Sequence, residues 1–198
     1  MTSWAIPTGT KYYVECLVLQ VANSGIVFGV ANPDIDLPTS IEADSSMNGF
    51  LFVGYSGSEW RTNALENGVR QGWSGNVGLT SARVMAITID RVANEVKCYL
   101  DNSLITSGTV SISATQEYHI VCSKSSGAHP AVHMNINAGH DSTGAGDFSA
   151  GTATDENGFG SFQHAPPSGF LALCSANLPT ADEVDPAQTD DDYPKKLF

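Results

Sequence analysis

The chain has 198 residues, room for a single domain with one sizeable core, and only 15% of them are charged while 41% are apolar. That balance excludes a disulfide-stapled miniprotein and a long coiled coil, and the net charge of -12, from 9 Lys+Arg against 21 Asp+Glu, repels nucleic acid and anionic lipid. No apolar run approaches the roughly 18 residues of a membrane helix, and Met1-Thr2-Ser3-Trp4 has neither a basic region nor a signal-like stretch, so a soluble chain without a secretion address is expected.

Short apolar runs alternate with Gly/Ser/Asn/Asp clusters from end to end, which predicts an all-β chain. Residues 12–20 (YYVECLVLQ) and 26–31 (IVFGVA) flank the turn signal Asn23-Ser24-Gly25 and read as a hairpin. A third strand is expected over 50–55 (FLFVGY). A polar stretch carrying Trp60 and Trp73 follows and reads as Gly/Ser-rich loop. In 83–90 (RVMAITID) neither face is clearly polar, which predicts a strand covered on both sides. After a turn over 91–95, residues 96–100 (VKCYL) place Val96, Cys98 and Leu100 on one face, and Asp101-Asn102 suits a tight turn.

Strands over 117–122 (EYHIVC) and 131–137 (AVHMNIN) come next, the second with Val132, Met134 and Ile136 inward. Residues 137–160 hold few apolar side chains and read as a long surface loop, after which Phe159, Phe162, Phe170, Leu171 and Leu173 return to the core. The resulting organisation is a short N-terminal segment (1–10), a β-sandwich (11–179) and an acidic tail (180–198). Tyr193, Leu197 and Phe198 are apolar enough to make that tail an assembly arm. Cys16, Cys98, Cys122 and Cys174 lie far apart, without C-x-x-C pairs, and read as reduced residues.

The residues offer little reactive chemistry. No G-x-S-x-G is present, and the alternating acidic strand of a sandwich-fold glycosidase is missing. Gly144-Ala145-Gly146 and Gly158-Phe159-Gly160 lack a dinucleotide fingerprint. His119, Cys122, His129 and His133 do not have the paired spacing of a zinc site, and Asp155-Glu156-Asn157-Gly158 lacks the acidic spacing of a calcium loop. No catalytic residue, metal or cofactor is therefore expected. The candidate binding residues are Trp60, Arg61, Asn63 and Trp73, where exposed aromatics could stack on a sugar or anchor a protein, together with Asp34 and Asp36 between Pro33 and Pro38.

The order of these runs and some of their letters resemble the SPRY domain, a two-layer antiparallel sandwich of the concanavalin A-like, jelly-roll kind. Lys11-Tyr12-Tyr13-Val14-Glu15 is similar to that family's "K-W-Y-F-E" strand, and Val27 to Ala31 to its "G-V-A" strand. Ala86 to Asp90 followed by Glu95 to Asn102 is similar to "G-V-x-L-D...G-x-V-x-F-Y-x-N-G", and Asn137-Ala138-Gly139 stands where "N-F-G" is common. The string from Gly160 to Pro179, with Ala165-Pro166-Pro167-Ser168-Gly169-Phe170-Leu171-Ala172-Leu173-Cys174, resembles the close of SPRY-like domains in structural proteins of tailed bacteriophages.

The resemblance implies a non-enzymatic binding module of a virion, as capsid decoration or as a tail or fibre component. Its implied partners are other virion proteins or a host-surface glycan or protein, in an oligomer or on a symmetric particle, with no nucleic acid or membrane. A lectin-like protein and an unrecognised hydrolase are the alternative readings. Family members usually carry a further strand before the "K-W-Y-F-E" strand, whereas ten residues precede Lys11 here. Either the short segment Trp4-Ala5-Ile6-Pro7 fills that role, or a sheet edge near the N-terminus lies open and is completed by another chain, as the strand-addition reading expects.

Overall fold

Residues Lys11–Ala22 alternate aromatic, β-branched and polar side chains and form strand β1, the longest in the structure. The structure is a computed structural model. It describes residues 5–22, 25–33, 49–55, 60–66, 69–71, 83–104, 110–124, 131–139 and 150–178. The remaining strands are β2 (Gly25–Ala31), β3 (Gly49–Tyr55), β4 (Trp60–Glu66), β5 (Val69–Gln71), β6 (Arg83–Asp90), β7 (Glu95–Leu100), β8 (Ser103–Leu104), β9 (Val110–Ser111), β10 (His119–Lys124), β11 (Ala131–Asn137) and β12 (Leu171–Ala172). No helix occurs among the described residues.

The strands build two sheets, one of seven strands in the order β11-β1-β6-β7-β8 and one of five in the order β10-β2-β3-β4-β5. In the larger sheet β9 also pairs with β7, and β12 pairs in parallel with β1. All other pairings are antiparallel. Tyr12, Val14, Cys16 and Val18 of β1 point into one core with Met85, Ile87 and Ile89 of β6 and Val96, Cys98 and Leu100 of β7. Phe28, Val30 and Ile120 from the smaller sheet close that core from the other side. The chain is thus an all-β, two-layer antiparallel sandwich, as its periodicity predicts.

The larger sheet is buried on its outer face too. Strand β6 is buried at every position after Arg83, and Tyr13, Glu15 and Leu17 of β1 are buried although they face away from the main core. A second apolar cluster of Tyr13, Ala86, Phe162 and Ala172 explains this. Residues 150–178 supply that cover through Ala153, Phe162, Phe170 and Ala172, while Leu173 and Leu178 reach the main core; Ala153 and Phe162 exchange both backbone hydrogen bonds at 3.1 and 2.8 Å. The Phe162 and Tyr13 rings meet edge to face, 5.0 Å between centroids at 82°, a pairing worth about 0.5–1.5 kcal/mol beyond the area it buries.

Turn chemistry places the hairpins. Asp101 and Asn102, at φ of 45° and 65°, are the two left-handed residues that join β7 to β8, and Asn94, at φ 57°, closes the β6–β7 turn. Asp90 Oδ1 accepts the backbone N–H groups of Val92 and Ala93 in that same turn, at 3.0 and 2.8 Å. Asp101 accepts Val84 N–H at 3.0 Å and the Arg83 guanidinium, which ties the neighbouring turn to β6.

Four expectations are corrected. Strands β1 and β2 do not form a hairpin: β1 pairs with β6, β11 and β12, β2 with β3 and β10, so the chain changes sheet between them. A strand apolar on both faces needs neighbours on both sides and a layer above and below, which a hairpin with β2 would not supply. For the same reason no open edge exists at β1. The N-terminal segment instead docks by Ile6, which is buried in the main core and donates its N–H to Tyr118 O at 2.8 Å. Trp60, Arg61 and Asn63 belong to strand β4, not to a loop. Residues 150–160, described within the long surface loop, are irregular and mostly exposed as expected, but Phe159 among them is left 41% exposed rather than returned to the core.

The tightest backbone approach in the outer layer is at Gly151, where a Cβ would lie 2.0 Å from Phe162 O. Gly151→Ala therefore forces the Ala153–Phe162 bridge apart and should lower stability by about 2–4 kcal/mol, read as a reduced midpoint in urea unfolding. An unchanged midpoint would show that residues 150–153 do not pack as described.

Candidate functional site

Glu15 is the one carboxylate within β1, and the fold surrounds it with donors. Its Oε1 accepts Tyr13 Oη–H at 3.0 Å and His164 N–H at 2.9 Å, and its Oε2 accepts Gln163 N–H at 2.9 Å. Asn137, opposite Glu15 in β11, brings its Nδ2 within 3.5 Å of Oε2 and donates to Ser161 O at 3.0 Å. Asn137 Oδ1 in turn accepts Gly139 N–H at 2.9 Å. Gly139 needs to be glycine: its φ is +102°, and a Cβ there would meet the Ala172 Cβ at 2.5 Å. Burial pushes the Glu15 carboxyl above the usual range, and the amide donors pull it only partly back. The same burial, with the neighbouring Glu15 charge, drives the Tyr13 phenol well above its ordinary value.

Asp155 is the second clamp. Its Oδ1 accepts the N–H groups of Asn157 and Phe159 at 3.0 and 2.8 Å, and its Oδ2 accepts Ala172 N–H at 2.8 Å and Asn177 Nδ2 at 2.6 Å. Burial alone would raise its pKa, but these four donors outweigh it and hold the carboxyl below the ordinary aspartate value. A carboxylate ringed by N–H dipoles has no lone pair turned toward a cation, so the 155–158 turn is a backbone lock and not a calcium loop. Sequence reading missed both clamps. A buried glutamate in an otherwise apolar strand was the available signal.

At one end of the sandwich Arg91 is buried, donating from its two terminal nitrogens to Ser113 O at 3.0 Å and Gln116 O at 3.1 Å, with its guanidinium 5.1 Å over the Tyr118 ring. Burial lowers its pKa. Nearby, Lys11 pairs with Asp90 at 2.7 Å and lies 5.7 Å from the Phe170 ring centroid, joining β1, the β6–β7 turn and the outer layer. His119 Nε2 contacts Glu117 Oε1 at 2.6 Å.

Among the described residues no group of three His, Cys, Asp or Glu side chains is placed to hold a metal. Glu15, Asp90, Asp101 and Asp155 all spend their oxygens on protein donors. Of the candidate binding residues, Trp60, Arg61 and Asn63 start strand β4, which lies between β3 and β5. Asp34, Asp36 and Trp73, and the arm residues Tyr193, Leu197 and Phe198, lie outside the described residues. His129 does as well.

Among solved structures, the chain is similar to the SPRY domain of human HERC1, at 16% identity, with 68% of this chain and 77% of that one covered and a TM-score of 0.49. It is also similar to the PSpry domain of TRIM65, at 14% identity, with 61% of this chain and 60% of that one covered and a TM-score of 0.42. No family model and no curated protein matches the sequence.

The two clamps respond to pH with opposite sign. Asp155, held low in the fold, contributes stability above its unfolded pKa of about 4 and loses it as pH falls through the folded value. Glu15, held high, contributes least once ionised and gains as pH falls toward about 4. Asp155→Asn leaves an amide nitrogen facing donors and should cost about 2–3 kcal/mol near pH 7. Urea unfolding of both proteins should show that gap narrowing between about pH 7 and about pH 3. A constant gap would remove the charge from the account of the clamp.

Proposed function

We propose that this chain is a SPRY-like binding module that works by association rather than turnover, and that it serves as a structural component of a tailed-bacteriophage virion, as capsid decoration or as part of a tail or fibre. The observation that carries the reading is the Gly160 to Pro179 string. Its residues resemble the close of phage SPRY-like domains, and its stretch up to Leu178 forms the outer layer clamped by Glu15 and Asp155. The carboxylates described above support association, because each is committed to holding backbone or a basic partner.

In this reading the doubly covered sheet is the rigid scaffold, and recognition falls to the connections between strands and to the start of β4. Trp60, Arg61 and Asn63 at the start of β4, with Trp73, Asp34 and Asp36, are the proposed contact residues. Tyr193, Leu197 and Phe198 are the proposed assembly arm. The partner is another virion protein or a host-surface protein or glycan.

Quantitative mass spectrometry of purified particles should find the chain, in copies comparable to the major shell subunit if it decorates the capsid and in few copies if it belongs to a fibre. Absence from the particles overturns the virion reading. Trp73→Ala should weaken partner binding by roughly tenfold or more without lowering the melting temperature. Binding to free glycans lost in that variant would favour a lectin, and a turnover abolished by changing one carboxylate would make the chain an enzyme.

A further inference from the structure

Three sulfur atoms from both sheets meet inside the sandwich. In the β1–β11 register Cys16 lies opposite Ile136 and Val18 opposite Met134, which makes Cys16 and Met134 diagonal neighbours on the inner face. Cys122 reaches them from β10 in the smaller sheet. Its Sγ lies 3.1 Å from Met134 Sδ, and it shares a hydrogen bond with the Cys16 thiol. The other two cysteines sit elsewhere: Cys98 in β7 faces the core opposite Ile87, and Cys174 packs against the outer cluster. All four are free.

We infer that Cys16 and Cys122 are a disulfide site built into the fold, which peroxide closes to bolt the two sheets together. A bond between the layers of a β-sandwich is an established geometry, and Cys16 and Cys122 come from opposite sheets to the same part of the core, beside Met134. The two sulfurs are also differentiated. Cys122 is partly exposed, and the hydrogen bond from Cys16 holds its thiol below the ordinary cysteine value. Cys16 is wholly buried, and that same hydrogen bond, with burial, raises its own.

Partial exposure makes Cys122 the sulfur that peroxide reaches first. Cys122 thiolate attacks one oxygen of hydrogen peroxide, the O–O bond breaks, and the departing hydroxide takes up a proton to leave as water. The Cys16 sulfur then attacks the resulting sulfenic acid. Its thiol proton goes to the departing hydroxyl, which leaves as a second water as the S–S bond forms. Two thiols are oxidised by two electrons and one peroxide is reduced to two waters. The staple joins an early strand to a late one, so it restrains a long stretch of the unfolded chain.

The test treats the folded full-length protein with dilute hydrogen peroxide, blocks remaining thiols after denaturation and maps peptides without reduction. Before alkylation the expected product is lighter by about 2 Da and melts roughly 5 °C or more higher until a dithiol reductant reverses the shift; after alkylation its map shows Cys16 linked to Cys122 with Cys98 and Cys174 blocked. Cys122→Ser should abolish the link. Should that variant fail to fold, the wild-type map decides alone. Cys16 and Cys122 both recovered as free thiols, a link through Cys98 or Cys174, or oxidation stopping at Met134 sulfoxide or Cys122 sulfinic acid would each overturn the inference.

Discussion

A single carboxylate on the outer face of β1 holds the layer that covers the larger sheet. Glu15 points away from the main core, where an exposed sheet face would normally leave it in water, and instead receives the backbone of Gln163 and His164 and the hydroxyl of Tyr13. An unpaired carboxylate at that depth would cost several kcal/mol, so the outer layer and the charge beneath it are mutually dependent. The neighbouring apolar pieces, Tyr13, Ala86, Phe162 and Ala172, form too small a cluster to fix the direction of the covering segment by themselves. Directional hydrogen bonds to Glu15 and Asp155 supply the register that the small cluster cannot.

Most of the letters that resemble SPRY domains hold the structure together. Tyr13 and Glu15 are the clamp, Asn137 and Gly139 turn the chain beside it, Asp90 caps the β6–β7 turn, and Asn102 makes the left-handed turn into β8. Those positions describe how a three-tier structure is pinned. They say nothing direct about a ligand, which is why a resemblance carried by them speaks to architecture more strongly than to partner.

The strands were legible wherever periodicity and turn chemistry agreed. The run 83–90 reads as apolar on both faces and is buried on both, and residues 96–100 alternate as their spacing demands. Asp101-Asn102 also reads as the tight turn it is. Partner choice was not legible: β1 and β2 look like a hairpin because they are adjacent and separated by Asn-Ser-Gly, yet pairing is decided by which faces must be covered, a property of the whole sheet. Strand β4 was missed because Trp60 to Glu66 lacks a β-branched, alternating pattern. The Glu15 clamp was missed because its two backbone donors, Gln163 and His164, lie 148 and 149 residues away along the chain, and the Asp155 clamp because its donors come from a segment without strand periodicity.

The position of β1 has a consequence for how the molecule comes into being. Strand β1 is made before the other strands of the sandwich, yet its partners along one side, β11 and β12, come last among them. During synthesis its hydrogen-bonding edge and both greasy faces wait for the rest of the sandwich to emerge. Such distant pairing slows folding and lengthens the interval in which nascent copies can stick to one another. The yield of this protein in a cell should accordingly depend more on what shields β1 during translation than on the stability of the finished sandwich.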